Sequence, residues 1–323
     1  MTVKYIAELC QNHLGKIENI EKMVEECAFY GAKIIKLQYI LTRNLAYRPE
    51  FDFGLKNKKK IIIIKRPFKN ESKRLKKLEL NDKEIKKFIK ICEKNKVKPS
   101  ITCFARENIQ RLKDLGFDTI KIASYDCGSF QFIREISDKF KNLIISTGAT
   151  YDSEIKKTFE ILDKKKKNFS FLHCVTIYPT PFKHLNLDRI KYLKKYTSNV
   201  GYSDHSSSKG NLRNIASMAA IYFGAKVIER HIRILDIKDT KDGPVSIQPK
   251  DIGEVIKFSR LVKNDQKDYL KDKGLNFNLI KGKQIRSLSN EELLNRDYYR
   301  GRFVSFSKKN KRQIFNWDET SIW

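Results

Sequence analysis

Two patterns of apolar and polar positions alternate along the first 265 residues of the chain. Short runs of β-branched and aliphatic residues, typical of buried strands, alternate with longer segments that have the apolar periodicity of amphipathic helices. In one of these segments, Ile85, Phe88, Ile89 and Cys92 form a single apolar stripe. The pattern predicts eight strands, at Tyr5–Leu9, Ala32–Gln38, Lys98–Cys103, Thr119–Ala123, Leu143–Ser146, Phe169–Val175, Asn199–Ser203 and Ala225–Arg230. It predicts eight helices, at Ile17–Tyr30, Asp82–Asn95, Arg106–Leu115, Ser129–Phe140, Ser153–Lys165, Asp188–Tyr196, Lys209–Phe223 and Pro249–Val262.

Eight strands that alternate with eight helices predict an α/β protein with a (β/α)8 TIM barrel. An open doubly wound sheet is the alternative, although it seldom contains eight such regular units. We expect the barrel at residues 1–265, a charged linker at 266–299 and a short C-terminal extension at 300–323. The stretch Leu41–Leu80 interrupts the alternation, and its length indicates a lid or a substrate-binding loop.

Length and composition are those of a globular protein with a large core, since the chain has 323 residues and 40% of them are hydrophobic. No apolar run approaches the roughly 20 residues that span a bilayer, and the first residues lack a signal-peptide pattern. Six cysteines without a repeated spacing indicate free thiols in a reducing compartment. We therefore expect a cytoplasmic protein with no membrane partner.

The formal net charge is +29, and the lysines that produce it are spread along the whole chain. Such a distribution is typical of solvated helix faces. A positive field that attracts anionic small molecules or nucleic acid is the alternative. No zinc-finger, RNA-recognition or helix-turn-helix signature accompanies the charge, which disfavours a nucleic-acid partner.

Candidate chemistry lies where the predicted strands end, because active sites of barrels form at the carboxyl ends of the strands. Two strands lead to histidines, His205 and His231, with Asp204 and Glu229 one and two residues before them. Two imidazoles at neighbouring strand ends can hold a divalent metal ion. Further candidates at or just beyond the strand ends are Glu8, Asn12, His13, Lys36, Gln38, Thr102, Phe104, Lys121, Ser124, Asp126, Ser146, Thr147, Thr176, Tyr178 and Ser203.

Each of these residues taken alone has an ordinary structural explanation, because a polar residue at a strand end commonly caps a turn. The set is harder to explain in that way. Lys36 and Lys121 would both point into the barrel mouth, where an unpaired buried lysine is rare. Together with the hydroxyls of Ser146 and Thr147, the two lysines predict a site for a phosphate or a carboxylate.

Seven segments resemble, in the same order, the sialic acid synthases and related nonulosonate synthases. The resemblance covers roughly residues 3–265, and its specificity comes from the ordered set rather than from one motif. The segments are Ala7–Gly15 (AELCQNHLG), Lys36–Gln38 (KLQ), Lys121–Ser124 (KIAS), Ser146–Gly148 (STG), His173–Thr180 (HCVTIYPT), Gly201–His205 (GYSDH) and Glu229–His231 (ERH).

The resemblance implies a condensation of phosphoenolpyruvate with an N-acylated hexose, such as N-acetylmannosamine or a di-N-acetylated deoxyhexose. The products are phosphate and a nonulosonic acid of the sialic, legionaminic or pseudaminic type. The resemblance also implies a homodimer and a divalent ion on His205 and His231, with Mn²⁺ expected and Mg²⁺ or Co²⁺ as alternatives.

Roles for the other residues follow from the same resemblance. Lys121, Ser124, Ser146 and Thr147 correspond to the phosphoenolpyruvate site, and Tyr178 lies nearby. The catalytic set is expected to be Glu8, Asp126, His205 and His231, with Asp126 close to the carbon that water attacks. The other residues expected to bind substrate are Asn12, His13, Lys36, Gln38, Thr102, Phe104, Thr176, Ser203 and Asp204.

Two features depart from the family pattern. The family carries Gly-Pro-Asp after the second metal histidine, whereas this chain has Val245 after Gly243-Pro244, so Asp239 or Asp242 would have to substitute. The family also has a C-terminal antifreeze-like domain that supplies an arginine to the partner subunit's sugar site. Here a segment beginning Arg302-Phe303-Val304-Ser305 resembles the start of that domain, and we expect residues 300–323 to be its remnant.

Cys10 has two interpretations. Some related barrel synthases use a cysteine after the first strand as a metal ligand, whereas a free cysteine more commonly serves as a small buried apolar residue. Three other functions also stay open: a related barrel synthase or aldolase with another aldehyde such as a phosphorylated pentose, a non-catalytic barrel, and a basic nucleic-acid-binding protein.

Overall fold

Eight parallel strands close into a barrel in the computed structural model, which describes residues 2–307 and 311–322. This confirms the predicted (β/α)8 TIM barrel. Strands β1 to β8 are Lys4–Glu8, Ile34–Gln38, Lys98–Cys103, Thr119–Ile122, Asn142–Ser146, Asn168–His173, Val200–Asp204 and Val227–His231. The barrel closes by pairing β1 with β8, which places Glu8 opposite His231.

Helices surround the barrel at all eight predicted places: Ile17–Phe29, Asp82–Lys94, Ile109–Asp114, Phe130–Lys139, Asp152–Lys164, Arg189–Leu193, Ile215–Tyr222 and Pro249–Ser259. The largest difference from the prediction concerns the helix expected to begin at Lys209, which begins at Ile215. Gly210 has a φ of 73°, outside the helical range, so the helix cannot include it. The helix at Asp82 begins with a capping box between Asn81 and Glu84.

The interior of the barrel separates apolar from polar residues along its axis. Ile6, Ile34, Ile144 and Val227 belong to one apolar cluster at the amino-terminal end of the barrel. Since alternate residues of a strand point to the same side, the residue two positions further along each strand also faces inward. Those residues are Glu8, Lys36, Ser146 and Glu229, so the polar groups gather at the carboxyl end.

The stretch Leu41–Leu80, predicted to be a lid or binding loop, contains secondary structure of its own. It comprises a 3-10 turn at Thr42–Asn44, short helices at Pro49–Phe53 and Phe68–Lys76, and a hairpin of Leu55–Asn57 with Lys60–Ile63. Leu45 forms a β-bridge with Phe303, and the Ala46 amide donates to the Arg302 carbonyl at 2.9 Å. The stretch therefore packs against the end of the chain.

Residues 263–307 and 311–322 continue beyond the last barrel helix and cross the carboxyl end of the barrel. They form helices at Lys263–Asp272, Phe277–Lys281 and Asn290–Tyr299, and a hairpin of Val304–Phe306 with Gln313–Phe315. The fully buried Arg106 donates to the carbonyls of Asp318 and Thr320 at 2.9 and 3.0 Å. The stretch expected to be a linker and a remnant thus lies on the barrel, although positions 308–310 and 323 of it lie outside the described residues. In the described part, no helix has the length and apolar character needed to cross a membrane.

Candidate active site at the carboxyl end of the barrel

A cavity of about 450 Å³ opens at the carboxyl end of the barrel, and all eight strands or the residues directly after them contribute to its wall. Its size is that of a site for small molecules. Thirteen predicted site residues line it: Glu8, Lys36, Gln38, Thr102, Phe104, Lys121, Ser124, Asp126, Ser146, Tyr178, Ser203, His205 and His231.

Five residues predicted to bind substrate do not line the cavity: Asn12, His13, Thr147, Thr176 and Asp204. Asp204 directly follows the inward-facing Ser203 and so points out of the barrel. There it pairs with the buried Arg230 and accepts a hydrogen bond from Ser217 Oγ at 2.6 Å. Thr147 likewise follows Ser146, and its hydroxyl donates to the Leu172 carbonyl at 3.2 Å.

The other three residues bind loops together. Asn12 Nδ2 donates to the Ile232 carbonyl at 2.7 Å and to Ser246 Oγ at 2.9 Å, which connects the loops after β1 and β8. His13 Nδ1 accepts from the Gly15 amide at 3.0 Å, and burial lowers the pKa of His13 to about 4. The Thr176 carbonyl accepts from Asn295 Nδ2 at 2.7 Å. These contacts connect loops at the rim of the barrel, and Asn12 positions the loop that follows β8.

Four charged side chains form an ionic cluster at the base of the cavity: Glu8, Lys36, Lys121 and Glu229. Lys121 Nζ lies 2.7 and 2.8 Å from the two carboxylate oxygens of Glu229. Lys36 contacts Glu8 and lies 3.8 Å from Glu229. All four side chains are at most 4% exposed. The cluster contains two basic and two acidic side chains, whose charges compensate one another when all four are ionised.

Burial and neighbouring charges set the protonation of the ionic cluster. Burial lowers the pKa of Lys36 to about 7; Glu229 opposes this shift, and Lys121 adds to it. Burial alone would raise the pKa of Glu229, but the charges of Lys121 and Lys36 lower it to about 2. Glu229 is therefore ionised at neutral pH, whereas Lys36 is poised to gain or lose a proton.

His205 and His231 lie side by side, with ring centroids 5.3 Å apart. Burial lowers the pKa of His205 to about 4 and that of His231 well below its ordinary value, so both imidazoles are neutral. Neutral imidazole is the form that binds metal. His205 Nδ1 lies 3.2 Å from the Val175 carbonyl, whereas His231 Nδ1 is buried and has no hydrogen-bond partner among the described residues. These histidines fit a divalent ion.

Asp126 supplies a carboxylate on another side of the cavity, from the 3-10 turn after β4. It accepts hydrogen bonds from Ser129 Oγ and Asn316 Nδ2, both at 3.0 Å. Burial raises the pKa of Asp126 to about 6, although Asn316, Ser129 and Arg300 act in the opposite direction. A carboxyl with a pKa near neutrality can exchange a proton with a substrate or with water.

Residues beyond the thirteen predicted ones complete the cavity wall, among them Glu229 and Asp242, which were already named above as carboxylates near the two histidines. Many come from the C-terminal segment, which we define as residues 284–307 and 311–322. Its Tyr299 stacks on Tyr125 with ring centroids 5.1 Å apart, and its Arg302 donates to Glu71 at 2.6 Å. The additional wall residues are Gln11, Arg66, Ala123, Tyr125, Cys174, Glu229, Lys241, Asp242, Glu291, Asn295, Tyr299, Arg300, Arg302, Phe303 and Asn316. For the wall residues of the C-terminal segment, the aromatic and basic run at Tyr299–Phe303 was the available sequence signal.

Comparisons with known proteins show which proteins the chain resembles. Residues 23–271 match the model of the NeuB family. The chain is 32% identical over 254 residues to the N,N'-diacetyllegionaminic acid synthase of Campylobacter jejuni, and the match covers 76% of this chain and 72% of that protein. It is 32% identical over 248 residues to the pseudaminic acid synthase of the same species, covering 75% and 68%. A crystal structure of N-acetylneuraminic acid synthetase from Leptospira borgpetersenii, in complex with citrate, matches 91% of each chain at 28% identity and a TM-score of 0.67.

Proposed function

The chain belongs to the NeuB family of nonulosonate synthases, and we propose that it condenses phosphoenolpyruvate with an N-acylated hexose to give a nonulosonic acid and inorganic phosphate. One observation carries this proposal: the ionic cluster, Asp126 and the two histidines all lie in one cavity at the carboxyl end of the barrel. Such a cavity offers donors for an anionic substrate and groups that exchange protons.

Donors for phosphoenolpyruvate lie on two sides of the cavity. Lys121 comes from β4, Ser124 from the turn after β4, and Ser146 from β5. Arg300 and Arg302 face them from the C-terminal segment. Ammonium, guanidinium and hydroxyl groups in a buried site are suited to phosphate and carboxylate oxygens. We assign the anionic substrate to the space between these two sets.

In the proposed reaction, C3 of the enol phosphate forms a bond to the aldehyde carbon of the sugar, and the aldehyde oxygen takes up a proton. Water adds to C2 and loses a proton. The bond between C2 and the phosphate oxygen then breaks as the new hydroxyl at C2 loses its proton. Phosphate leaves with the bridging oxygen, and a 2-keto acid remains.

Three side chains of the cavity match these proton movements. Lys36, with a pKa of about 7, is suited to give a proton to the aldehyde oxygen. Asp126, with a pKa of about 6, is suited to accept the proton of the attacking water. Glu8 adds a negative charge that stabilises the positive charge developing at C2.

A divalent ion bound at His231 would supply Lewis-acid polarisation of the aldehyde oxygen. The unpartnered Nδ1 of His231 and the neutral state of both imidazoles support such binding. Following the resemblance, we propose His205 and His231 as ligands, Mn²⁺ as the ion and a homodimer as the assembly.

Phosphate release tests the proposal. The purified protein is mixed with phosphoenolpyruvate, Mn²⁺ and a panel of N-acetylated hexoses that includes N-acetylmannosamine and a di-N-acetylated deoxyhexose. We expect sugar-dependent release that falls roughly 100-fold or more in Asp126→Asn, since general acid–base groups contribute on that order. Glu160→Gln, an exposed change on an outer helix, is the matched control. If a phosphorylated pentose is the only aldehyde that supports phosphate release, the result would favour a related barrel synthase with that substrate. No release with any aldehyde would contradict the proposal.

A further inference from the structure

One helix of the C-terminal segment, Asn290–Tyr299, turns a face toward the cavity. Its residues Glu291, Asn295 and Tyr299 are four positions apart, and all three line the cavity wall. Residues at that spacing lie above one another on a helix, so the three form a single surface, which we name the helix face. We propose that the helix face recognises the acceptor sugar, with Asn295 on an N-acyl group and Glu291 on a hydroxyl.

Other residues of the same helix hold it on the barrel. Arg296 is buried and donates to the Ala149 carbonyl and to Glu154, both at 2.5 Å. Glu292 is buried as well and accepts two hydrogen bonds from Arg286 at 2.7 Å. The helix face is therefore fixed in position before a substrate binds, as a preorganised binding site requires.

Asn295 keeps hydrogen-bonding capacity for a ligand. Its Nδ2 donates to the Thr176 carbonyl at 2.7 Å, which fixes the orientation of the side-chain amide. A primary amide has two N–H donors and a carbonyl acceptor. One donor and the Oδ1 acceptor therefore remain beyond that bond, and they match the C=O and the N–H of an N-acyl group.

Aromatic rings beside Asn295 offer an apolar surface. Tyr299 lies one turn further along the helix face and stacks on Tyr125, with ring centroids 5.1 Å apart. Tyr178, two residues after Thr176, also lines the cavity. Sites for small molecules combine such apolar walls with a few placed polar groups. The methyl group of an N-acetyl substituent can pack on these rings while its amide bonds Asn295, whereas a hydroxyl in the same place offers no methyl group.

The helix face connects to the two histidines through Tyr178. The Thr176 carbonyl binds Asn295, and the Tyr178 ring packs on His205 with centroids 4.5 Å apart. His205 in turn lies beside His231. In the proposed function, the aldehyde end of the sugar lies at these histidines. An N-acyl group on C2, the carbon next to the aldehyde, would then lie beside Tyr178, on the side of Asn295.

Glu291 supplies a carboxylate at the start of the helix face. Its neighbour Glu292 is buried and paired with Arg286, whereas Glu291 is exposed and lines the cavity. Carboxylate oxygens accept hydrogen bonds from hydroxyl groups, so a free hydroxyl of the sugar suits this group. The inference rests on the proposed function for the identity of the ligand, and it adds the residues that recognise the sugar.

Kinetics with a pair of sugars test the role of Asn295. Phosphate release by the full-length protein is measured with the N-acetylated hexose that supports it and with the same hexose carrying a hydroxyl in place of the N-acetyl group. Asn295→Ala should lower kcat/KM for the acetylated sugar roughly tenfold, the scale of one lost hydrogen bond, chiefly through the KM of that sugar. The preference for the acetylated sugar should shrink by the same factor, and the KM of phosphoenolpyruvate should stay unchanged. Asn290→Ala, on the same helix but outside the cavity wall, is the matched control.

Glu291→Gln should raise the KM of both sugars about equally, because the hydroxyl that Glu291 binds is present in both. We expect an increase of roughly fivefold, since glutamine still accepts a hydrogen bond but lacks the charge that strengthens it. Asp297→Asn removes an exposed charge from the same helix outside the cavity wall and is the control. An unchanged KM in Glu291→Gln would remove Glu291 from the sugar site.

Binding without turnover separates this inference from the proposed function. In saturation-transfer NMR, N-acetylmannosamine or the di-N-acetylated deoxyhexose should show contact through its acetyl methyl protons, and Asn295→Ala should lose that contact while circular dichroism shows a folded protein. Such binding without phosphate release would keep the sugar site and reject the proposed function. Release that Asn295→Ala leaves unchanged, or lowers equally for both sugars, would keep the function and overturn the sugar site. Neither binding nor release would reject both.

Discussion

Lys121 and Glu229 form an ion pair across the inside of the barrel, from β4 to β8, with Nζ 2.7 and 2.8 Å from the two carboxylate oxygens. These strands lie on opposite sides of the closed sheet, so the pair connects two walls that share no backbone hydrogen bonds. Both side chains are nearly inaccessible, at 3% and 4% exposure. The pair therefore holds the ionic cluster in place beneath the proposed substrate.

Glu229→Gln should destabilise the protein by roughly 3–5 kcal/mol, because it leaves the charge of Lys121 buried without a partner. Urea unfolding measures this change. Glu160→Gln is the control, since its ion pair with Lys156 is exposed and 3.9 Å long, and we expect little effect from it. Equal stabilities of the two variants would show that the pair across the barrel does not form.

Asp126→Asn should stabilise the protein above about pH 6. Burial raises the pKa of Asp126 in the folded state to about 6 from an ordinary value of 3.8. A raised pKa means that the carboxyl's contribution to stability is complete below about pH 3.8 and is lost as the pH rises through about 6. The loss is on the order of 3 kcal/mol, and the asparagine variant avoids it while keeping an acceptor for Ser129 and Asn316. Urea midpoints of both proteins from pH 4 to pH 7 check this, and a difference independent of pH would contradict it.

Asn316→Ala should raise the pKa of Asp126 further, because the amide of Asn316 donates to that carboxylate and helps to lower its pKa. Ser129 and Arg300 stay in place, so the shift reports on the C-terminal segment alone. The carboxyl carbon signal of Asp126 in ¹³C NMR gives the pKa directly. Asn168→Ala is the control, because that amide bonds Asn142 on the surface. An unchanged pKa would mean that the C-terminal segment does not cover the cavity.

Gly148→Ala should destabilise the protein by roughly 1–3 kcal/mol, the usual cost of an overpacked core. A Cβ atom at this position would lie 2.5 Å from Cys174 Sγ and 2.8 Å from Thr176 Cγ2. Gly253→Ala is the matched control, since its Cβ would meet nothing closer than 3.5 Å and it lies within a helix. We expect that control to stabilise the protein by about 0.5–1 kcal/mol, and thermal unfolding distinguishes the two results.

The sequence predicted the barrel and its inward-facing residues because both follow from short-range periodicity. Once a strand is located, a period of two fixes which residues face inward, as for Glu8 and Lys36. The same rule explains the residues that do not line the cavity. Asp204 and Thr147 each follow an inward-facing residue, and a shift of one position turns a side chain to the opposite face.

The rest of the wall depends on contacts between distant parts of the chain. Asn316 reaches Asp126 only because the C-terminal segment crosses the barrel, where Arg106 binds the Asp318 and Thr320 carbonyls. No local pattern predicts contacts across some 200 residues. Cys10 had two interpretations in the sequence, and only the fold places Asp242 beside it.

Phosphoenolpyruvate that carries oxygen-18 between C2 and phosphorus provides the most direct test of the proposed reaction. The labelled compound is incubated with the protein, a divalent ion and the N-acetylated hexose that supports phosphate release, and both products are analysed by mass spectrometry. We predict that the label leaves in inorganic phosphate and that the second product is an unlabelled keto acid containing the carbons of both substrates. Unlabelled phosphate, or phosphate formed without a new carbon–carbon bond, would contradict the proposed synthase reaction.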